Sequence, residues 1–177
     1  HLDEIANVAD GLMVARGDLG VEVDIEKVPN FQRKIIAAGA RQSKTVIIAT
    51  QMLESMVKSP RPTLAEVSDV VNGVLEGTDC VMLSAETASG KYPVKCVEKM
   101  SSIINSVESW SLSKIERYND HMVSFKKGDE HKAIAHAACE VAEIVKARII
   151  VCLTLTGSIA RLISSSSTCL FKGVRAI

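Results

Sequence analysis

The chain has 177 residues, with 21 basic and 21 acidic side chains, so its formal net charge is zero. This length suits one medium-sized domain or parts of two. Hydrophobic residues make up 47% of the chain and charged residues 24%, which excludes a disordered protein and predicts a buried core. The neutral charge and the 3% of aromatic residues favour neither nucleic-acid nor membrane-surface binding, and no apolar run approaches the roughly 20 residues that span a bilayer.

The first residues, His1–Glu4, have neither the basic nor the apolar segment of a signal peptide, and they contain no initiator methionine. We therefore expect the chain to begin inside a longer protein. Its five cysteines are odd in number, widely spaced and without a Cys-x-x-Cys pair. This pattern favours buried reduced thiols in a cytoplasmic protein over a disulfide framework or a zinc site.

Three short apolar runs predict the strands of a parallel sheet. They cover residues 11–15, 45–50 and 79–84. Each has four or five apolar residues without alternation, the pattern of strands that are covered on both faces. Their aligned ends, Ala15, Ala49 and Leu83, lie 34 residues apart. A strand–helix unit that recurs at this length is typical of an α/β fold.

The segments between these strands predict helices. Pro29 opens the first helix and Pro93 the third, at a position where the missing N–H of proline costs no hydrogen bond. Thr63 and Glu66 have the spacing of a capping box at the start of the second helix. The predicted inward faces are Phe31, Ile35 and Ile36 in the first helix, Val67, Val70, Val71 and Val74 in the second, and Val97, Met100, Ile104 and Val107 in the third.

The sequence changes character after Trp110. Residues 111–130 are polar and irregular, and we interpret them as a linker between two domains. The pattern beyond it predicts a helix, a strand, a second helix, a loop and the start of a last strand, over residues 131–146, 148–154, 159–163, 164–167 and 176–177. The inward face of the first of these helices is predicted to contain Ile134, Ala138, Val141, Ala142 and Val145.

Polar residues follow each of the three early strands, at the edge where the chemistry of an α/β barrel is found. They are Arg16, Gly17 and Asp18 after the first strand, Thr50 after the second, and Ser84 and Glu86 after the third. A carboxylate such as Asp18 is an oxygen ligand suited to Mg²⁺. When Asp18 or Thr50 is taken alone, helix capping is the favoured explanation. Three polar strand ends in phase favour a site.

Several motifs at these positions resemble pyruvate kinases. Asp10–Glu22 is similar to the loop after the sixth barrel strand of that family, and Ala49–Met56 to the segment after the seventh strand. Val81–Thr87 and Gly90–Pro93 resemble the end of the family's eighth strand. Two further stretches follow in the family's order, Pro60–Thr63 and Ala65–Asp69. The resemblance covers residues 3–110 and, more loosely, residues 131–177.

The resemblance implies a fold and a domain organisation. Residues 1–110 are expected to be the C-terminal part of a catalytic TIM (β/α)8 barrel, a partial barrel with strands 6–8. Residues 111–130 are then the linker, and residues 131–177 the first part of an α/β C-terminal domain. Three strands leave open edges and cannot close a barrel, so we expect the isolated chain to be neither a stable barrel nor catalytic.

The resemblance also implies an activity, the transfer of a phosphoryl group from phosphoenolpyruvate to ADP with formation of pyruvate and ATP. In this family Asp18 matches a ligand of Mg²⁺ or Mn²⁺, and the backbone of Arg16, Gly17 and Asp18 matches the part that receives the substrate carboxylate. Thr50 matches a threonine beside the substrate, and the matches to Ser84 and Glu86 are implicated in delivering the proton. The implied protein is a cytoplasmic homotetramer.

Other parts of the family's site are expected upstream of His1. They include the lysine that contacts the phosphoryl group, the second metal carboxylate and the K⁺ ligands. Two local positions depart from the family's pattern: Leu64 replaces an arginine that is associated with a subunit contact, and Ala85 replaces a glycine.

The C-terminal part contains a possible effector loop. Its hydroxyl and glycine residues are Thr154, Thr156, Gly157 and Ser158. Effector-regulated members bind a sugar phosphate at a similar loop, with a lysine and a serine where this chain has Leu155 and Ile159. An ordinary helix cap explains the loop at least as well, so activation by fructose bisphosphate is not predicted.

Two other functions remain open at this point. A Mg²⁺-dependent barrel lyase that handles an enolate also needs a carboxylate at a strand end, which Asp18 supplies. A non-catalytic or inactive relative that only oligomerises or binds an effector would fit the absence of the lysine element from this sequence.

Overall fold

The computed structural model of the protein describes residues 1–114, 128–164 and 175–176. The chain folds into two compact units, His1–Trp110 and Ser111–Ile177. Residues 115–127, which belong to the predicted linker, lie outside the described residues, as do residues 165–167 of the predicted loop and the terminal Ile177.

The first unit is built on a three-stranded parallel sheet in the order β1-β2-β3. Its strands are β1 (Gly11–Ala15), β2 (Thr45–Ala49) and β3 (Cys80–Met82). The predicted α/β class with a parallel sheet is confirmed. The 34-residue repeat holds between Ala15 and Ala49, which are partners in register, but Ala49 pairs with Met82 and not with Leu83. In β1, Val14 is fully buried whereas Met13 is half exposed, so the prediction that both faces are covered is wrong for this strand.

Helices connect these strands, precede the first and follow the last of them. They are α1 (Leu2–Val8), α2 (Arg16–Glu22), α3 (Val28–Gln42), α4 (Leu64–Leu75), α5 (Ala85–Ala88) and α6 (Pro93–Lys114), with short 3-10 helices at Ile25–Lys27 and Glu54–Val57. The predicted capping box of α4 is present, because Thr63 and Glu66 bond to each other's backbone N–H groups. The capping box therefore sets the start of α4, as the sequence predicted.

The inward helix faces agree with the sequence in part. In α3 and α4, Ile36, Val70 and Val74 are buried, and the other predicted positions are partly buried. In α6, Met100 and Val107 are buried as predicted, but Val97 is exposed. Cys96 and Ile103 are buried in its place. The Sγ atom of Cys96 contacts the carbonyls of Glu86 and Met56, so α6 is rotated towards the loops that follow β2 and β3.

The second unit contains two helices and a short sheet. Its elements are α7 (Glu130–Ile144), β4 (Ile149–Ile150), α8 (Ser158–Ser164) and β5 (Arg175–Ala176), with β4 and β5 parallel. The predicted strand at 148–154 is thus much shorter. The core joins Ala135 and Cys139 of α7 to Ile163 of α8.

The predicted inward face of α7 is wrong at three of its five positions. Ile134, Val141 and Val145 are exposed, whereas Ala142 is buried as predicted. The face that packs on α8 carries the smaller side chains of Ala135 and Cys139. Small side chains let two helices approach closely, and hydrophobicity alone does not report this preference.

The expectation of buried reduced thiols is wrong for Cys80, which is exposed, and for Cys139, which is not a free thiol. Cys80, Cys96 and Cys152 are free thiols, but Cys139 forms a disulfide. A disulfide requires the two cysteines to lie with their α-carbons within about 7 Å of each other, a condition that only the folded chain can meet. Within the described ranges, no helix has both the length and the apolar character needed to cross a membrane.

Candidate active site

The polar residues predicted to form a site lie at the carboxyl edge of the first sheet. Arg16, Gly17 and Asp18 form the first turn of α2, directly after β1. Thr50 follows β2, and Ser84 and Glu86 follow β3 at the start of α5. Since the carboxyl ends of parallel strands meet at one edge, three separate sequence segments are brought together there.

The Arg16 guanidinium connects the first strand end to the second. Its Nε and Nη2 atoms donate to the carbonyl of Thr50 at 3.2 and 2.8 Å, and Nη2 also donates to the carbonyl of Gln51 at 2.9 Å. Nη1 donates to Asp69 Oδ2 of α4 at 2.6 Å. The Arg16 side chain is only 10% exposed. Sequence reasoning used the backbone of this residue and missed the side chain, whose partners lie 34 to 53 residues away.

Thr50 and Gln51 both have left-handed backbone conformations, with φ of 68° and 55°. This region is unfavourable for a β-branched residue such as threonine and costs about 1–3 kcal/mol per residue. The carbonyls of these two residues are the ones that Arg16 holds. The strained turn is therefore fixed by three hydrogen bonds from one buried guanidinium.

A second connection joins Thr50 to Gly17. The backbone N–H of Gly17 donates to Thr50 Oγ1 at 3.0 Å. A Cβ atom on Gly17 would lie 3.6 Å from that oxygen, an ordinary van der Waals contact. The N–H group expected to face a substrate carboxylate thus has a hydroxyl partner in this structure. The Asp18 side chain, by contrast, is exposed at the first turn of α2.

Glu86 connects the second strand end to the third. Its side chain is fully buried, and its two oxygens accept from the N–H of Leu53 at 3.1 Å and from the N–H of Ser84 at 2.7 Å. Ser84 Oγ is a buried side-chain oxygen without a hydrogen-bond partner among the described residues. An unpaired buried hydroxyl costs free energy of folding. Such an atom therefore calls for an explanation, for example a catalytic role or a bound water molecule or ion.

The loop after β3 closes tightly around Glu86. A Cβ atom on Gly90 would lie 2.5 Å from the backbone carbonyl of Glu86, so only glycine fits there without a shift of the backbone.

Burial raises the pKa of the Cys96 thiol, and the neighbouring Glu86 raises it further. Both effects favour the neutral thiol.

Glu66 connects α4 to the segment that follows β2. Its Oε1 accepts from Ser55 N at 2.6 Å, and its Oε2 accepts from Ser55 Oγ at 2.6 Å. The same Oε2 accepts from the backbone and the hydroxyl of Thr63 at 2.7 and 2.9 Å. The sequence predicted the contact with Thr63 through the capping box and missed the contact with Ser55.

The hydrogen bonds of Glu66 predict a pH dependence of stability. Burial raises the pKa of its carboxyl, but the bonds from Ser55 and Thr63 lower it by more, so the pKa lies below the usual 4.5. A lowered pKa in the folded state stabilises the fold above pH 4.5, and this contribution is lost as the pH falls through the lowered value. Urea unfolding at a series of pH values should show the loss, and Glu66→Gln should show less of it.

The wild type and Glu66→Gln must be compared in the urea experiment because Asp79 also contributes to the pH dependence of stability. Burial raises its pKa, against the hydrogen bond from the N–H of Val46, so its effect on stability has the opposite sign. Because Asp79 is unchanged in Glu66→Gln, its effect cancels in the difference between the two pH profiles. An identical profile for both proteins would contradict the prediction.

Among the predicted site residues, Asp18 has an exposed carboxylate at this edge, whereas the carboxylate of Glu86 is buried and accepts two backbone N–H groups. No group of three or more His, Cys, Asp or Glu side chains that could hold an ion occurs in the described part of the chain. Mg²⁺ is bound in many sites by one or two carboxylates together with water and phosphate oxygens.

The residues of the predicted effector loop lie in the second unit. Gly157 has a φ of 74° and its N–H donates to Thr154 Oγ1 at 3.0 Å. The hydroxyl of Thr156 lies 3.0 Å from that of Ser158. The hydroxyl groups of this exposed loop thus bond within the loop in this structure.

Comparisons with known proteins identify the family of the chain. The family model described as the barrel domain of pyruvate kinase matches residues 1–97, more than half of the chain. The chain belongs to the pyruvate kinase family. A solved pyruvate kinase from Cryptosporidium parvum superposes with a TM-score of 0.83 at 39% identity, covering 99% of this chain and 39% of that one.

Relatives from distant organisms give the same result. The pyruvate kinase of Thermotoga maritima is 42% identical over 90% of this chain, and pyruvate kinase 2 of a Synechocystis species is 48% identical over 92%. The enzyme from Eimeria tenella is 47% identical over 93% of the chain. The chain spans about one third of the length of these relatives, 33%, 27% and 31% respectively.

Proposed function

We propose that the protein containing this chain transfers the phosphoryl group of phosphoenolpyruvate to ADP, giving pyruvate and ATP. The observation that carries the proposal is the joining of three strand ends at one edge. Gly17 bonds to Thr50, and Glu86 bonds to both Leu53 and Ser84. Positioned polar groups of this kind suit a phosphoryl transfer, in which catalysis depends mainly on geometry and charge stabilisation.

In this proposal β1, β2 and β3 are the sixth, seventh and eighth strands of a TIM barrel. Residues 1–110 then form the C-terminal part of the catalytic barrel, and residues 131–177 begin the C-terminal α/β domain. The numbering follows the order of the motifs in the sequence. The location of the predicted catalytic, substrate and metal residues after β1, β2 and β3 supports a barrel, because barrel enzymes place their sites at the carboxyl ends of the strands.

Substrate binding is assigned to the first two strand ends. The backbone of Arg16, Gly17 and Asp18 receives the substrate carboxylate, with Thr50 beside it. The bond between Gly17 and Thr50 keeps the amide and the hydroxyl 3.0 Å apart, so both groups can turn to the same small anion. The buried guanidinium of Arg16 keeps the Thr50 turn in place during this exchange.

Proton delivery to the enolate is assigned to the third strand end. The buried Ser84 hydroxyl lacks a partner among the described residues, which leaves it available to a water molecule or to the substrate. Glu86, whose oxygens accept two backbone N–H groups, holds Ser84 in place and makes the surroundings of the hydroxyl polar.

Asp18 is the residue of this chain that would bind Mg²⁺ or Mn²⁺. When bound, such an ion supplies positive charge that stabilises the transferring phosphoryl group. The K⁺ site of the family is assigned outside this chain. We further propose a cytoplasmic homotetramer for the whole protein, with Thr154, Thr156, Gly157 and Ser158 as its candidate effector loop.

Replacing Asp18 tests the function directly. Asp18→Asn in the intact protein should lower kcat/KM by about 1000-fold, because loss of one preorganised electrostatic contact costs 100- to 1000-fold in comparable sites. The readout is pyruvate formed from phosphoenolpyruvate and ADP at a series of Mg²⁺ concentrations. Asp24→Asn is the matched control, since the exposed Asp24 side chain bonds only to Lys27 within the described part of the chain.

Measuring pyruvate formation with phosphoenolpyruvate, and separately with a hydroxy-oxo acid, distinguishes the kinase from the lyase and from the non-catalytic relative. A lyase would release pyruvate from a hydroxy-oxo acid without ADP, and a non-catalytic relative would form none from either substrate. The relatives, all of them named pyruvate kinases, do not favour these two functions. ADP-independent pyruvate formation by the wild type would contradict the proposal.

A further inference from the structure

The N-terminal half of α4 contacts the segment after β2 at two points. Asp69 holds the Arg16 guanidinium, which in turn holds the carbonyls of Thr50 and Gln51. One turn earlier on the same helix, Glu66 holds both the N–H and the hydroxyl of Ser55. Both ends of the stretch from Thr50 to Ser55 are therefore connected to α4.

The stretch between these two points has little freedom to move. Met52, Leu53 and Met56 are fully buried, and Leu53 donates its N–H to Glu86. Val57 accepts a bond from the N–H of Lys91, in the loop after β3. The Ser55–Glu66 bonds add a connection between this buried stretch and α4.

We propose that Glu66 is a positioning residue for the active site and that it acts on Thr50 through Ser55. The inference rests on the proposed function, in which Thr50 lies beside the substrate. Glu66 is well suited to this role because its two oxygens have different tasks. Among the described residues, Oε1 binds only the backbone of Ser55, whereas Oε2 is shared between the Ser55 hydroxyl and the cap at Thr63.

The separate partners of Glu66 provide a matched pair of variants. Ser55→Ala removes a bond to the segment after β2 and leaves the helix cap intact. Thr63→Ala removes the side chain of the cap and leaves both bonds to Ser55. Each variant deletes one hydroxyl that lies within 3 Å of the same carboxyl oxygen, at 2.6 and 2.9 Å respectively. Thr63→Ala also removes the acceptor of the Glu66 N–H at 3.3 Å, so the two variants are expected to differ in stability. A purely structural role for Glu66 predicts the same kcat/KM and the same exchange of residues 50–57 for both.

The experiment uses the intact protein and two readouts. The first is the kcat and the KM for phosphoenolpyruvate of Ser55→Ala, Thr63→Ala, Ser55→Thr and Glu66→Ala. The second is amide hydrogen exchange of the peptide that covers residues 50–57, which does not require activity. We expect Glu66→Ala to lower kcat/KM about tenfold, since small displacements of positioned groups have costs of up to 100-fold.

Ser55→Ala should lower kcat/KM by less than Glu66→Ala does. It should also increase the rate of amide hydrogen exchange in residues 50–57. Ser55→Thr, which keeps the hydroxyl, should restore both readouts. Thr63→Ala should lower the melting temperature while kcat/KM stays within about twofold of the wild type, as is usual for a substitution away from the site.

Equal kcat/KM and equal exchange in Ser55→Ala and Thr63→Ala would overturn the inference, even if Glu66→Ala failed to fold. A wild type that forms no pyruvate would overturn the proposed function instead. In that case the exchange comparison alone decides whether Glu66 positions the segment.

Discussion

Glu86→Ala is expected to be the most destabilising single substitution in the first unit. It deletes a fully buried side chain that accepts from Leu53 N and Ser84 N, and it leaves both N–H groups without a partner. An orphaned buried donor costs about 1–3 kcal/mol, so the loss should be roughly 3–5 kcal/mol. Urea unfolding followed by circular dichroism measures it as a lower midpoint.

Two further variants make this result specific. Glu86→Gln keeps one carboxamide oxygen as an acceptor but presents an NH2 group to the other donor, so its midpoint should fall between those of Glu86→Ala and the wild type. Glu98→Ala, on the exposed face of α6, should change stability by no more than about 0.5 kcal/mol. A Glu86→Ala midpoint equal to that of Glu98→Ala would show that the two backbone bonds contribute nothing.

Arg16→Met should have the second large effect, and mainly on activity. Methionine keeps much of the apolar stem of arginine and removes every donor to Thr50, Gln51 and Asp69. The left-handed turn then loses the bonds that offset its strain. We expect kcat/KM for phosphoenolpyruvate to fall about 100-fold, the cost associated with a displacement near 1 Å.

Arg16→Lys tests whether the charge of Arg16 or its hydrogen-bonding geometry is needed for activity. Arg16→Lys keeps the positive charge near Asp69 but cannot reach both carbonyls at once, so activity should recover only in part. Arg41→Met is the control, because it removes an exposed guanidinium that pairs with Asp3 at the surface. If Arg16→Lys were as active as the wild type, the charge alone would matter and the clamp on Thr50 would be irrelevant.

The position of the site at the strand ends could be predicted from the sequence with little structural information. Apolar runs without alternation indicated parallel strands, and all three were found within one or two residues of the expected bounds. Since parallel strands place their carboxyl ends at one edge, the polar residues after each run indicated a site. The capping box of Thr63 and Glu66 was equally predictable, because both partners lie within one helical turn.

Which side chains hold this site together depended on the tertiary structure. The contacts of Arg16 with Asp69, of Glu86 with Leu53 and of Glu66 with Ser55 join residues 11 to 53 positions apart. No local pattern in the sequence reports such pairs. Glu86 illustrates the difference: its position after the third strand indicated a role in chemistry, while its burial and its two backbone donors show a role in structure.

The helix faces show the same division for a different physical reason. The sequence determined that α6 and α7 are helices, because their apolar residues recur with helical spacing. It did not determine which face is buried, because the apolar stripe of a helix is wider than the surface that one neighbouring element covers. The packing partner decided this: α6 turns Cys96 towards Glu86 and Met56, and α7 turns the small side chains of Ala135 and Cys139 towards α8. Local spacing sets a helix, whereas close packing against a neighbour selects the side that is buried.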